Sequence, residues 1–185
     1  MSEGADGVAV FCGSNVGVRE DYAALAKTVG RELARRGRPL VYGGGRLGLM
    51  GVVADATLEA GGQVIGVIPD FMVRKEHAHE GATELIVVES MHERKAIMAE
   101  RAGAGLTMPG GVGTFDELFE AITWNQLGLQ AKPIGVLSVS GYYEPLRDLL
   151  NAAELEGFLP SSTRESIRFG DDAVALLDAL LGGSS

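Results

Sequence analysis

The sequence predicts an α/β fold, a Rossmann-like open parallel sheet of six or seven strands with helices on both faces. Short apolar runs of strand length alternate along the whole chain with longer segments of helical period, the pattern of a doubly wound sheet. The runs end at or near glycine, proline or polar loops, where a strand turns out toward a helix. Hydrophobic residues make up 46% of the 185 positions, enough for one continuous core. One domain, 1–185, is therefore expected. Its small or polar ends, 1–6 and 182–185, are expected to fray.

Taken in order, strands are predicted at Val8 to Cys12, Pro39 to Tyr42, Gln63 to Ile68, Glu84 to Val88, Gly105 to Met108 and Pro133 to Leu137, with a seventh around Ile167. Helices are predicted over Glu20 to Arg36, Leu49 to Ala60, His92 to Ala102, Phe115 to Leu127, Tyr143 to Glu156 and Asp172 to Leu181. The first helix stops at Gly37, as C-terminal helix chemistry requires. Leu118, Ile122 and Trp124 recur at helical spacing and read as core or a subunit contact.

Charge and cysteine content narrow the function. Lysine and arginine number 16 against 25 acids, a formal charge of −9, which argues against working by neutralising nucleic-acid phosphates or anionic lipid. No apolar run approaches the roughly 20 residues that span a bilayer. The lone Cys12 has no disulfide partner within the chain, and the first residues lack a secretory signal, so a cytoplasmic location is expected.

Ligands of such sheets sit beyond the carboxyl ends of the strands. Gly13-Ser14, Gly43-Gly44-Gly45, the loop from Pro69 to His79 and the turn from Pro109 to Thr114 all fall there. The turn is the most informative: Gly110, Gly111 and Gly113 strip it to bare backbone whose N–H groups can hold an anion. Asp116 and Glu117 follow at once and would repel that anion unless a cation or a chemical role compensates. A structural reading also exists. Thr114-x-x-Glu117 matches a capping box, and acids suit a first helical turn. It leaves the glycines unexplained.

Arg94 and Lys95 fall in the first turn of a predicted helix, where cations oppose the macrodipole. They read either as a surface pair neutralised by Glu89 or Glu93, or as the cations of an anion site. Gly43-x-Gly45-x-x-Gly48 matches a dinucleotide fingerprint with Asp70 downstream, but it follows the second strand rather than the first, so no nicotinamide cofactor is expected. Glu76-His77-Ala78-His79-Glu80 has poor spacing for zinc, and no metal is expected.

Across nearly the whole chain these motifs resemble the Lonely Guy type cytokinin riboside 5′-monophosphate phosphoribohydrolases, a family whose members often carry the label lysine decarboxylase. The resemblance is carried by Cys12-Gly13-Ser14, Tyr42-Gly43-Gly44-Gly45, Gly48-Leu49-Met50-Gly51, Ser90 to Lys95, Pro109 to Thr114 with Glu117, and Thr123 to Gly128. It implies that Arg94 and Glu117 are catalytic. It also implies that Ser14, Gly44, Gly45, Glu76, Arg94, Lys95, Gly110, Gly111, Gly113 and Thr114 bind a nucleotide substrate, AMP or N6-prenyl-AMP, with no cofactor, in a homodimer or larger homo-oligomer. The implied reaction is hydrolysis of the N-glycosidic bond, releasing free base and ribose 5-phosphate. Gln130 and Ala131 replace a His-Asp pair common among relatives. A non-catalytic nucleotide or molybdenum-cofactor carrier is the alternative, since that fold shares the glycine turns. Lysine decarboxylation is poorly supported, because it needs pyridoxal phosphate on a Schiff-base lysine and only Lys27, Lys75, Lys95 and Lys132 exist.

Overall fold

The structure is a computed structural model that describes residues 6–182. Its strands are β1 (Gly7–Phe11), β2 (Leu40–Tyr42), β3 (Val64–Pro69), β4 (Glu84–Val88), β5 (Ala102–Thr107), β6 (Ile134–Leu137) and β7 (Ile167–Gly170). They form one sheet in the order β4-β3-β2-β1-β5-β6-β7, every pair parallel. The helices are α1 (Glu20–Arg35), α2 (Gly48–Glu59), α3 (Asp70–Val73), α4 (Met91–Arg101), α5 (Val112–Gln126), α6 (Glu144–Leu155), α7 (Ser161–Ser166) and α8 (Ala173–Leu181), with a 3₁₀ turn at Val139–Gly141.

Two-residue periodicity in β1 distributes the helices. Val8, Val10 and Cys12 point into a core with α1, α2 and α8, where Leu25, Val29, Leu33, Val53, Leu176 and Leu177 are buried. Ala9 and Phe11 point the other way, against Met98 and Ala102 at α4. A third cluster seats Leu118 and Ile122 of α5 on Ile134 and Val136 of β6, with Tyr143 and Leu150 from the α6 side. Each fully buried leucine or isoleucine contributes roughly 1.5–3 kcal/mol. Trp124 departs from the core expectation: it is half-buried and lines a second, largely apolar cavity between α4 and α5.

The seventh strand forms as expected, and the predicted helices all form with ends shifted by a few residues. Two short helices were not predicted: α3 opens the stretch expected as the Pro69 to His79 loop, and α7 lies in a stretch given no element. β5 begins at Ala102, where α4 ends, because Ala102 already has extended angles and joins the β1 ladder opposite Gly7. Of the ends expected to fray, Asp6 is tied to Arg38 at 3.0 Å; residues 1–5 and 183–185 lie outside the described residues. Strand order reverses at β1, whose neighbours are β2 and β5. That switch point opens a crevice above the ends of β1 and β5, where a ligand of this fold class binds.

Candidate active site

The crevice holds a pocket with an empty volume of about 990 Å³, including the part open to solvent. Ser14 and Gly13 after β1, Met50 of α2, Met72 and Glu76 after β3, Arg94 of α4, the turn Pro109 to Thr114 and Glu117 of α5 line it. Three of the four loops predicted to share a rim thus reach it with their predicted residues.

The glycine turn is a helix start with its donors free. α5 begins at Val112, Gly111 is the N-cap, and no side chain caps it. This corrects the capping-box reading: Thr114 lies inside the first turn and is buried, so its hydroxyl is not the cap. Uncapped N–H groups at the positive end of a helix macrodipole hold an anion well. A Cβ on Gly110 would overlap the Thr114 hydroxyl, so glycine there lets the turn close. On Gly111 or Gly113 it would meet nothing within 4 Å and the backbone is not left-handed. Packing within the protein does not require glycine at those two positions, and the space beside them is open.

Arg94 is buried at 4% exposure, contrary to a surface pair with Glu89 or Glu93. Glu93 instead caps α4 together with Ser90: the Ser90 hydroxyl accepts from the Glu93 N–H at 3.1 Å, and the Glu93 carboxylate accepts from the Glu89 N–H at 3.0 Å. The Arg94 guanidinium donates to the carbonyls of Val67 (3.0 Å) and Gly43 (2.8 Å), and Nη1 lies among the sulfurs of Met91 and Met72. A Cβ on Gly43 would overlap Nη2, so the first glycine of the Gly43-Gly44-Gly45 run exists to admit this side chain. The fixed planar cation keeps donor capacity facing the pocket.

Two carboxylates stand near it. Glu76 approaches Nη2 at 3.8 Å, and its Oε2 is buried without a hydrogen-bond partner. Burial pushes its pKa up, against the pull of Arg94 and Lys75. Glu117 is raised from 4.5 to about 7: burial drives the shift, Arg94 and Lys95 oppose it, and Asp116 and Glu76 add to it. Cys12, buried at the end of β1, has a thiol pKa pushed up by burial and by Glu117, so it is inert as a nucleophile.

The family model described as "Possible lysine decarboxylase" matches residues 50–180. A cytokinin riboside 5′-monophosphate phosphoribohydrolase of Rhodococcoides fascians is 49% identical over 161 residues, 86% of this chain and 81% of that protein. One from Arabidopsis thaliana is 45% identical over 173 residues, 94% of this chain and 76% of that protein. The chain belongs to the cytokinin riboside 5′-monophosphate phosphoribohydrolase family. Among solved structures, the molybdenum cofactor carrier protein of Chlamydomonas reinhardtii superposes with a TM-score of 0.70 at 22% identity, covering 94% of this chain and 96% of that one, a likeness of fold alone.

In this member of the phosphoribohydrolase family not every predicted binding residue reaches the pocket. Gly44 and Gly45 do not line it. Gly45 forms a bridge with Ala78 and sits against Met50 and Glu76, which brings the Glu76 loop in. Lys95 does not line it either: its ammonium meets Asp116, itself at the pocket's edge, at 2.6 Å and Glu120 at 2.8 Å. Among the described residues no lysine lines that pocket, which leaves no site for a Schiff base there. His79 is buried with Nε2 2.8 Å from Asp55 and anchors the loop, while His77 is exposed. Asp70 opens α3 and does not line the pocket. Sequence reasoning missed Tyr22 and Tyr142 at the mouth, packed edge to face with centroids 5.8 Å apart. The Tyr142 hydroxyl donates to the Gly110 carbonyl at 2.5 Å and so braces the turn. No periodicity marks an aromatic that serves a loop more than 30 residues away.

Proposed function

We propose that the protein hydrolyses the N-glycosidic bond of adenosine 5′-monophosphates, including N6-modified ones, releasing the free base and ribose 5-phosphate. The observation that carries this reading is one pocket with an uncapped helix start at Gly111–Thr114 and, three residues on, a carboxylate with a pKa near 7 beside a buried arginine. The phosphate sits on the N–H groups of the turn with the Ser14 and Thr114 hydroxyls. The sugar then extends toward Glu117 and Arg94.

Hydrolysis breaks the bond from C1′ to the base nitrogen, and the bonding pair leaves with the base. Positive charge builds on the sugar, as in glycoside hydrolysis, and a carboxylate stabilises it. Water adds its hydroxyl to C1′ and gives a proton to Glu117, whose raised pKa suits proton transfer at neutral pH, and that proton passes on to the departing base, which leaves neutral and frees the carboxylate. Arg94 holds the nucleotide through donors not used on Val67 and Gly43. Glu76 lines the same pocket and offers its carboxylate to the substrate. No cofactor or metal takes part in this scheme.

The carrier alternative has only likeness of fold behind it, and a carrier does not need Glu117 perturbed in this way. As one domain over 1–185, the protein is read as cytoplasmic, in keeping with a buried free thiol at Cys12. It is also read as a homodimer or larger: Phe119 of α5 and Leu127 just past its end are exposed apolar side chains. A net charge of −9 weighs against nucleic acid as a partner. The test is chromatographic detection of free base from AMP and N6-isopentenyl-AMP. Release by the wild-type protein and none by Glu117→Gln supports the reading; equal release by both overturns it.

A further inference from the structure

We propose that Lys95 is a positioning residue rather than a phosphate ligand: it joins α4 to α5 through Asp116 and Glu120 and thereby fixes the place and charge of the Glu117 carboxylate. This rests on the reading of Glu117 as the reacting group.

Lys95 follows Arg94 on α4, so the two point to different sides. Arg94 enters the nucleotide pocket, and Lys95 crosses to α5 beside the apolar cavity behind Glu117. Its side chain is 15% exposed, and the ammonium holds two carboxylates, Asp116 Oδ2 at 2.6 Å and Glu120 Oε2 at 2.8 Å. Asp116 and Glu120 lie four apart, one turn on the same face of α5, so the cation ties down the face next to the one that carries Glu117. Burial alone lowers the lysine pKa, but the bonds from Asp116 and Glu120 hold it above its ordinary value. It therefore stays charged throughout the working pH range, with two of its three donors committed to Asp116 and Glu120. Phe11, Met98, Trp124 and Ile134 line the same cavity, so water screens the triad little from that side.

The groups that face Glu117 come from every element packed around it: Arg94 and Lys95 from α4, Asp116 from α5, Glu76 from the loop after α3, and Cys12 from the end of β1. Lys95 does two things to this balance. It supplies a positive charge directly, and it neutralises Asp116, whose free charge would push Glu117 further toward protonation. Asp116 thus has a place in the site beyond the helix dipole.

The test measures base release from AMP across pH for Lys95→Met and Lys95→Arg, beside titration of Glu117 by ¹³C NMR of the carboxyl carbon, its signal assigned by loss in Glu117→Gln. Lys95→Met is expected to move the Glu117 midpoint and the acid limb of kcat up by about one pH unit. At pH 6 that is roughly a tenfold loss of kcat, with KM within about twofold of wild type. Lys95→Arg is expected to keep the limb in place. A tenfold or larger rise in KM with the limb unmoved would make Lys95 a phosphate ligand and overturn the proposal. Should Lys95→Met fail to fold, Asp116→Asn at the exposed end of the triad decides: the Glu117 midpoint is expected to fall, and an unmoved midpoint refutes the coupling. If wild-type protein releases no base, the functional reading fails, while the NMR titration still decides what Lys95 does to Glu117.

Discussion

Replacing Glu117 by glutamine should make the folded protein more stable at neutral pH while stopping turnover. The folded-state pKa of Glu117 is raised from 4.5 to about 7, so between those values the native state binds a proton that the unfolded chain has released. Stability then falls as pH rises through that window, since the native state carries the cost of ionising a half-buried carboxyl whose surroundings desolvate it. At about 1.36 kcal/mol per pH unit the interval corresponds to roughly 3 kcal/mol, fully expressed above pH 7 and absent below pH 4.5. The glutamine amide keeps the shape and has no charge to bury. Urea unfolding of both proteins at pH 4.5, 6 and 8 measures it. The advantage of Glu117→Gln should grow from near zero at the lowest pH to about 2–3 kcal/mol at the highest, with base release lost throughout. A difference flat across pH, or a glutamine variant less stable at pH 8, would refute the burial argument and with it the proton-transfer role.

Wild-type kcat should rise with pH through an acid limb near 7, because the ionised carboxylate takes the proton from water; a pH-rate profile on AMP checks this. Gly43→Ala should cut base release by about 100-fold or more, since the new methyl group occupies the place of Arg94 Nη2 and misplaces the guanidinium. Circular dichroism should show the secondary structure of that variant retained. Gly113→Ala should raise stability by about 0.5–1 kcal/mol, as alanine suits a helix and its Cβ meets no protein atom, while KM for the nucleotide rises. A thermal melt paired with kinetics reads both.

The fold was legible because apolar runs in a parallel sheet must be continuous and amphipathic helices must follow them; hence β1, β2, β4 and the long helices sit where periodicity puts them. What was not legible depends on neighbours distant in sequence. Short α3 and α7 have too few residues for a period. Ala102 is extended because Gly7 pairs with it, ninety-odd residues back. Within the site, Arg94, Glu117, Glu76, Ser14 and the turn glycines were identifiable from residue type and motif order. The partners were not: nothing local says that Gly43 clears room for Arg94, that Lys95 turns away to Asp116 and Glu120, or that Tyr142 braces Gly110. Thr114-x-x-Glu117 misled because the helix starts two residues before the threonine, leaving the start free for a ligand where a local rule would have filled it.

The direct passage from α4 into β5 has a mechanical consequence. Arg101 ends the helix and Ala102 begins the strand, and only residues 108–111 separate β5 from α5. Arg94 and Glu117 are therefore carried on the two arms of one stiff helix–strand–helix bracket whose middle is clamped between β1 and β6. No hinge lies between the cation and the strand it is mounted on. The cation and the carboxylate are thus mounted at the two ends of one strand, and only the short turn Met108 to Gly111 stands between that strand and the helix that carries Glu117.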